Sequence, residues 1–243
     1  LIMKKLSGTI VLMGLVFVQC FAQDIKEHVS HSSWDALLSK HVTSEGKVNY
    51  DGFKSDIAKL DKYLKLIGDN EAKTGWSQAE KKAFWLNAYN AWTIKLVLER
   101  YPVNSIKDVS TKPWDKRFIK IGANTHTLND IENKIIRRQF KDARIHFAVN
   151  CAAISCPKLS NKAFTMLNVE KELDRLTKEF FKSDNVKLVE KSAQLSKIFE
   201  WYTDDFIQES ESVLKFVERY SGMTFHPKVK VSYLDYNWKL NKQ

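Results

Sequence analysis

Apolar residues recur at helical spacing along most of the chain. Trp34, Leu37, Leu38 and His41 share one side of a helix that Ser33 is placed to cap. Lys47 to Phe53 reads as a polar connector with a turn at Asp51-Gly52. Ile57, Leu60, Leu64 and Ile67 mark an amphipathic helix over 55–67, which Gly68 is expected to stop. Ser77-Gln78-Ala79-Glu80 has the form of a capping box, with Trp76 just before it. The helix it opens runs to about Arg100, because Pro102 disfavours helical geometry at Tyr101. Its middle, from Ala83 to Trp92, is apolar on nearly every side. A helix with no polar face is buried all round, so this one belongs at the centre of the domain.

The second half continues with shorter elements. Thr127-Leu128-Asn129-Asp130 opens a capped helix to about Phe140. Arg144 to Asn150 alternates, Ile145, Phe147 and Val149 against His146, Ala148 and Asn150, which predicts a strand leading into the loop Cys151–Pro157. Asn168 is placed to cap a helix to about Lys182. Val186–Val189 and Ala193–Leu195 predict a short hairpin. Ser196–Phe206 and Glu209–Ser221 read as helices, and Val229–Leu234 as a terminal strand. The sum is a helix-rich α+β domain with a central buried helix and a small, mostly antiparallel sheet. No repeat, Pro-rich linker or low-complexity tract interrupts residues 31–240, so 23–243 is read as one globular domain.

Composition adds an address. Met3, the expected start, is followed by Lys4, Lys5 and an apolar run from Leu6 to Val18, the layout of a secretory signal peptide. Cys20-Phe21-Ala22 places small residues at −3 and −1, so cleavage is expected after Ala22, in an exported protein that is periplasmic or secreted. Lipid attachment at Cys20 is the weaker alternative, since Gln19 stands where a small residue belongs. No internal stretch reaches the ~18 apolar residues of a membrane span. The 243 residues carry 39 Lys and Arg against 29 Asp and Glu. Cleavage after Ala22 leaves a net charge of +8 and two cysteines, Cys151 and Cys156. The basic residues are scattered among acids, and the densest spot, Lys134, Arg137 and Arg138, lies where cations complement a helix C-terminus. A nucleic-acid partner is therefore not expected.

Four segments taken together resemble the domain of unknown function 547 family. They are Ala83 to Asn90, Leu128 to Glu132, His146 to Pro157, and Trp201-Tyr202 with Asp205-Phe206. The closing Leu234–Asn241 is similar to the family's C-terminal signature, so the resemblance covers about residues 34–241. It implies one domain and a cleft near the Asn-rich helix and the cysteine loop. It implies no established reaction. Two positions depart from the pattern: Asn133 stands where the resemblance leads one to expect His, and Asn237 where it leads one to expect Asp.

The densest chemistry is His146, Asn150, Cys151 and Cys156. Thiol catalysis needs a thiolate, an imidazole to make it and a group to orient that imidazole. On a strand, His146 and Asn150 would lie about 13 Å apart at ~3.3 Å per residue, and Cys151 would fall on the opposite face. His126 and His226 are then alternative partners for a cysteine. A Cys151–Cys156 disulfide is the competing reading, since only these two cysteines remain in an oxidising compartment. Zinc at His146, Cys151 and Cys156, with His126 or Asp130 added, fits no familiar ligand spacing and is set aside. No metal and no cofactor are expected.

Asn87 and Asn90 share a face of the buried helix. With Tyr89 and Asn150 they would bind substrate, or else they lock neighbouring backbone into the core. Trp201, Tyr202, Tyr236 and Trp238 would form an aromatic wall for a sugar or peptide, or pack in the core. The sequence thus points to an exported thiol-dependent hydrolase or acyl transferase acting on peptide or envelope material, with Cys151 as nucleophile and His146 as its partner or a substrate-polarising group. The alternative is a non-enzymatic domain that binds a small molecule, peptide or glycan and carries a structural Cys151–Cys156 bridge.

Overall fold

A computed structural model describes residues 27–243. The expected signal segment 1–22, its expected cleavage site and Cys20 lie outside the described residues. Four helices open the fold: α1 (Ser32–His41), α2 (Tyr50–Ser55), α3 (Ile57–Asp69) and α4 (Gln78–Leu98). As the capping box predicts, Ser77 accepts the Glu80 N–H at 3.1 Å. Every residue from Glu80 to Ala91 is buried, and α4 is the central helix. It is flanked by α3, by α6 (Val169–Phe180) and by a π-helical stretch, Asp130–Ile136. Trp34 stacks on Tyr63 on the α1–α3 side. Phe147, Phe199, Phe206 and Phe216 form a second buried aromatic cluster.

The sheets are small. β1 (Ile119–Ile121) and β2 (Asn124–His126) form a hairpin that the hydrophobic pattern does not reveal. β3 (Lys187–Val189) and β4 (Ser192–Leu195) pair antiparallel, as expected. The chain then passes through α7 (Ile198–Trp201), α8 (Thr203–Ser210) and α9 (Val213–Ser221). It returns as β5 (Lys230–Tyr233), parallel to β4. The short helix α5 (Arg137–Phe140) continues the π-helical stretch.

Several sequence expectations are corrected. Arg144–Asn150 is not a strand. Residues Ala143–Phe147 form a 3-10 turn, opened by the Asp142 carboxylate accepting the Arg144 N–H. Among the described residues no strand pairs with it, and the turn buries Ile145, His146 and Phe147 together. The polar connector contains α2, capped by Asn49 through the Gly52 N–H at 2.7 Å. Gly52 is inside that helix because the His41 ring lies where its Cβ would be. Gly68 does not stop α3. It lets the helix touch the β1–β2 hairpin: its carbonyl accepts the Gly122 N–H at 2.8 Å, and a Cβ would sit 2.9 Å from the Lys120 oxygen. Helix α1 begins at Ser32 rather than after Ser33. Asn168 caps nothing in α6; its side chain binds the Thr165 N–H and the Ala163 carbonyl.

His31 gives the fold a pH dependence. It is buried, with Nδ1 2.8 Å from the Tyr63 hydroxyl. Burial disfavours its cation and lowers its pKa from 6.5 to about 4, although the charge of Glu80 acts the other way. Within that window the unfolded chain binds a proton that the folded chain refuses. The contribution is complete above the unfolded value and falls by about 3 kcal/mol as pH drops through the window. Urea unfolding of the wild type and of His31→Gln on both sides of the window checks this. The variant should lose that part of the pH slope, and equal slopes would refute the assignment.

Candidate functional site

The site is assembled around the loop Asn150–Pro157. Asn90 on α4 reaches the loop with both ends of its amide: Nδ2 donates to the Ala148 carbonyl at 2.9 Å, and Oδ1 accepts the Asn150 N–H at 2.9 Å. Asn150 then folds the loop on itself. Its Nδ2 donates to the Pro157 carbonyl at 2.8 Å, and its Oδ1 accepts the Ala152 N–H at 2.9 Å. The C-terminal segment closes over the other side. Ile154 N–H donates to the Lys239 carbonyl, Asn241 N–H donates to the Ala152 carbonyl, and Asn241 Nδ2 reaches Asn150 Oδ1 at 3.2 Å.

This web holds Ala152 at φ +61°, a left-handed conformation that a residue with a Cβ adopts only at a cost. The resulting bend after Cys151 turns its side chain into a cavity of about 220 Å³. Asn87, one helical turn before Asn90, binds Phe164 through both N–H and carbonyl. Asn87, Asn90 and Asn150 therefore have their amides committed to backbone, and none of the three lines the Cys151 cavity. They are the frame of the site. Of the residues expected to touch substrate, Tyr89 does line the cavity.

The cavity brings Cys151 and His146 together, and adds Glu132 and an aromatic wall of Trp114, Trp201, Tyr236 and Trp238. His146 is buried and stacks on Tyr202, ring centroids 3.9 Å apart. Its Nε2 lies 2.7 Å from Asp205 Oδ2, and its buried Nδ1 has no partner. Asp205 is held in turn by a two-pronged contact from Arg137, Nε at 2.6 Å and Nη2 at 2.9 Å. Burial alone would raise the Asp205 pKa. The hydrogen bonds from His146 and Arg137 outweigh it and hold the carboxyl well below the usual carboxylate range. An ionised Asp205 accepts the Nε2 hydrogen, so neutral His146 presents the Nδ1 lone pair.

Cys151 Sγ lies 3.2 Å from the Tyr236 hydroxyl, and the Cys151 N–H donates to Cys156 Sγ at 2.8 Å. Burial opposes ionisation of Cys151. Hydrogen bonds from Cys156, Tyr236 and the Ala153 backbone outweigh it, and the thiol lies below its ordinary value. Burial and the adjoining Cys151 push Cys156 well above it. Tyr236 is pushed up by burial and by both thiols, so its hydroxyl keeps its hydrogen and is placed to donate to the Cys151 sulphur when it ionises. Both cysteines are free in this structure.

His126 packs edge-on against Trp85 and His226 caps the Lys228 N–H; neither lines the cavity. Among the described residues, no group of three or more His, Cys, Asp or Glu could hold a metal. Asn133, at one departure from the family pattern, accepts the third Arg137 contact, Nη1 at 2.8 Å. Asn237, at the other, exchanges hydrogen bonds with Ser155. Residue-type reasoning assigned no site role to Asp205, and it gave Tyr236 a place in an aromatic wall rather than beside the thiol. Both sit in segments that carry the family resemblance, and their placement beside His146 and Cys151 depends on contacts 59 and 85 residues apart in sequence.

Comparison with known proteins gives one family match. Residues 73–181 match the family described as "Protein of unknown function, DUF547". No curated protein and no solved structure matches. The matched span contains α4, the π-helical stretch and the cysteine loop, but not Asp205 or Tyr236.

Proposed function

This chain belongs to the DUF547 family through residues 73–181, whose description assigns no reaction, and we propose that it is a thiol-dependent hydrolase or acyl transferase with Cys151 as nucleophile. One observation carries the reading: His146 and Cys151 line one cavity, and His146, committed to Asp205 through Nε2, has a buried Nδ1 with no hydrogen-bond partner among the described residues. A thiol with a lowered pKa, an imidazole in a fixed tautomer and a carboxylate that orients it are the three parts of a cysteine nucleophile.

In the proposed reaction the Cys151 proton passes to His146 Nδ1, and sulphur attacks a carbonyl carbon. The carbonyl π pair moves to oxygen and returns as the leaving group departs, taking the proton from His146. A thioester on Cys151 remains. Water, or an acceptor amine or alcohol, gives its proton to His146, attacks the thioester and releases Cys151 as thiolate. Asp205 stabilises the imidazolium in both halves, and Tyr236 solvates the thiolate. Peptide or envelope material is the proposed substrate class, because the N-terminal segment has the pattern of an export signal. The aromatic wall, with Trp201 exposed at its edge, favours a second reading in which the cavity binds a ligand without turning it over.

A model ester separates the two. With p-nitrophenyl acetate, the proposed enzyme should release one equivalent of nitrophenol in a burst and carry one acetyl group on Cys151, located by peptide mass mapping. Asp205→Asn should slow that acylation by about a hundredfold or more, since the amide can impose the wrong tautomer on His146. Acetylation spread over lysines, or a rate indifferent to Asp205→Asn, would remove the enzyme reading and leave the binding one.

A further inference from the structure

Glu132 is not used in the mechanism above. Glu132 lines the cavity and is only 5% exposed. Its Oε1 accepts the Tyr202 hydroxyl at 2.5 Å. Among the described residues it has no ion-pair partner. Arg137 is committed to Asp205 and Asn133, and Lys134 pairs with Asp130. A buried carboxylate held only by a hydroxyl is poorly compensated, and a cation in the cavity would complete it.

The aromatic lining of the same cavity suits a cation as well. Trp201, Tyr236 and Trp238 pack with centroids 4.6–5.8 Å apart. Their faces carry negative potential. Trp238 already holds one ammonium, that of Lys107, 3.7 Å from its ring centroid. The cavity, at about 220 Å³, is smaller than the roughly 300–1,000 Å³ of sites for drug-sized ligands. It takes a small group.

We propose that Glu132 and the wall of Trp201, Tyr236 and Trp238 form an ammonium subsite, so that the group transferred to Cys151 carries a protonated primary amine close to its carbonyl. This deepens the thiol-enzyme reading and rests on it for the word "transferred"; binding of the cation does not. A carboxylate or phosphate at the same end of the substrate would meet Glu132 and the Cys151 thiolate, and is disfavoured.

Cys151 can report on its own surroundings. Methanethiosulfonates modify a thiolate by forming a mixed disulfide as methanesulfinate leaves, and they exist as trimethylammonioethyl and sulfonatoethyl derivatives. Rates at Cys151, followed by peptide mass mapping and divided by the rates with a free thiol, should favour the cationic reagent by about tenfold or more. Glu132→Gln keeps an acceptor for Tyr202 and should abolish most of that preference. A ratio near one, or a preference unchanged by Glu132→Gln, would overturn the subsite. A second measurement avoids the thiol. In Cys151→Ala, n-butylammonium should change tryptophan emission saturably, n-butanol should not, and Glu132→Gln should remove the response. No saturable response to n-butylammonium overturns the subsite. If Cys151 proves unreactive but the ammonium response is present, the enzyme reading fails and the subsite stands.

Discussion

Cys151→Ala should eliminate the rapid reaction of this protein with iodoacetamide at neutral pH, together with all acylation by activated esters. The wild-type rate at Cys151 should rise along a titration whose midpoint lies below the ordinary thiol value of 9.0, because only the thiolate reacts. The direction follows from the sulphur's surroundings. Burial works against the thiolate, but the donors around Cys151, Tyr236 among them, stabilise it more. Tyr236→Phe removes one of those donors and should move the midpoint upward. Cys156 has the opposite expectation: it is buried, its pKa is raised, and it should stay unlabelled in the native protein. A Cys151 midpoint at or above 9.0, or faster labelling of Cys156 than of Cys151, would show that the loop does not activate its first cysteine.

Asn150→Ala should be the most destabilising single polar substitution in the site, by about 3–5 kcal/mol. The amide links the Pro157 carbonyl, the Ala152 N–H and Asn241 in a buried setting. Removing it leaves those groups unpaired where water cannot replace them, and nothing then offsets the left-handed backbone at Ala152. Urea midpoints measure the loss. Asn150→Asp is the sharper companion, since it keeps the acceptor for Ala152 but sets an oxygen against the Pro157 carbonyl. It should also be destabilised, and its Cys151 should lose fast labelling even at urea concentrations where the protein is still folded. A loss within about 1 kcal/mol for Asn150→Ala would mean that the loop holds its shape without this side chain.

The family pattern points to the right place in the chain and leaves the roles open. Asn87 and Asn90 read equally as ligand contacts or backbone locks. Their neighbours, Phe164, Ala148 and Asn150, make them locks. The alternation at 144–150 reads as a strand, which would have put His146 and Cys151 on opposite faces. The 3-10 turn removes that objection, and both line one cavity. The alternation failed because a two-residue period needs a neighbouring strand to become a sheet, and no local signal reports whether one arrives.

What the sequence alone determined is the local and the one-dimensional: the Ser77 cap, the apolar girth of α4, the β3–β4 hairpin and the crowding of His146, Asn150, Cys151 and Cys156. Each depends on residues close along the chain, where backbone geometry sets who meets whom. Only the tertiary structure decided that Asp205 orients His146, that Tyr236 donates to Cys151 and that Glu132 lines their cavity with no ion-pair partner among the described residues. Those contacts join α8, the C-terminal segment and the π-helical stretch across the packed core. They follow from how hydrophobic faces stack, which a residue pattern specifies only through the fold as a whole.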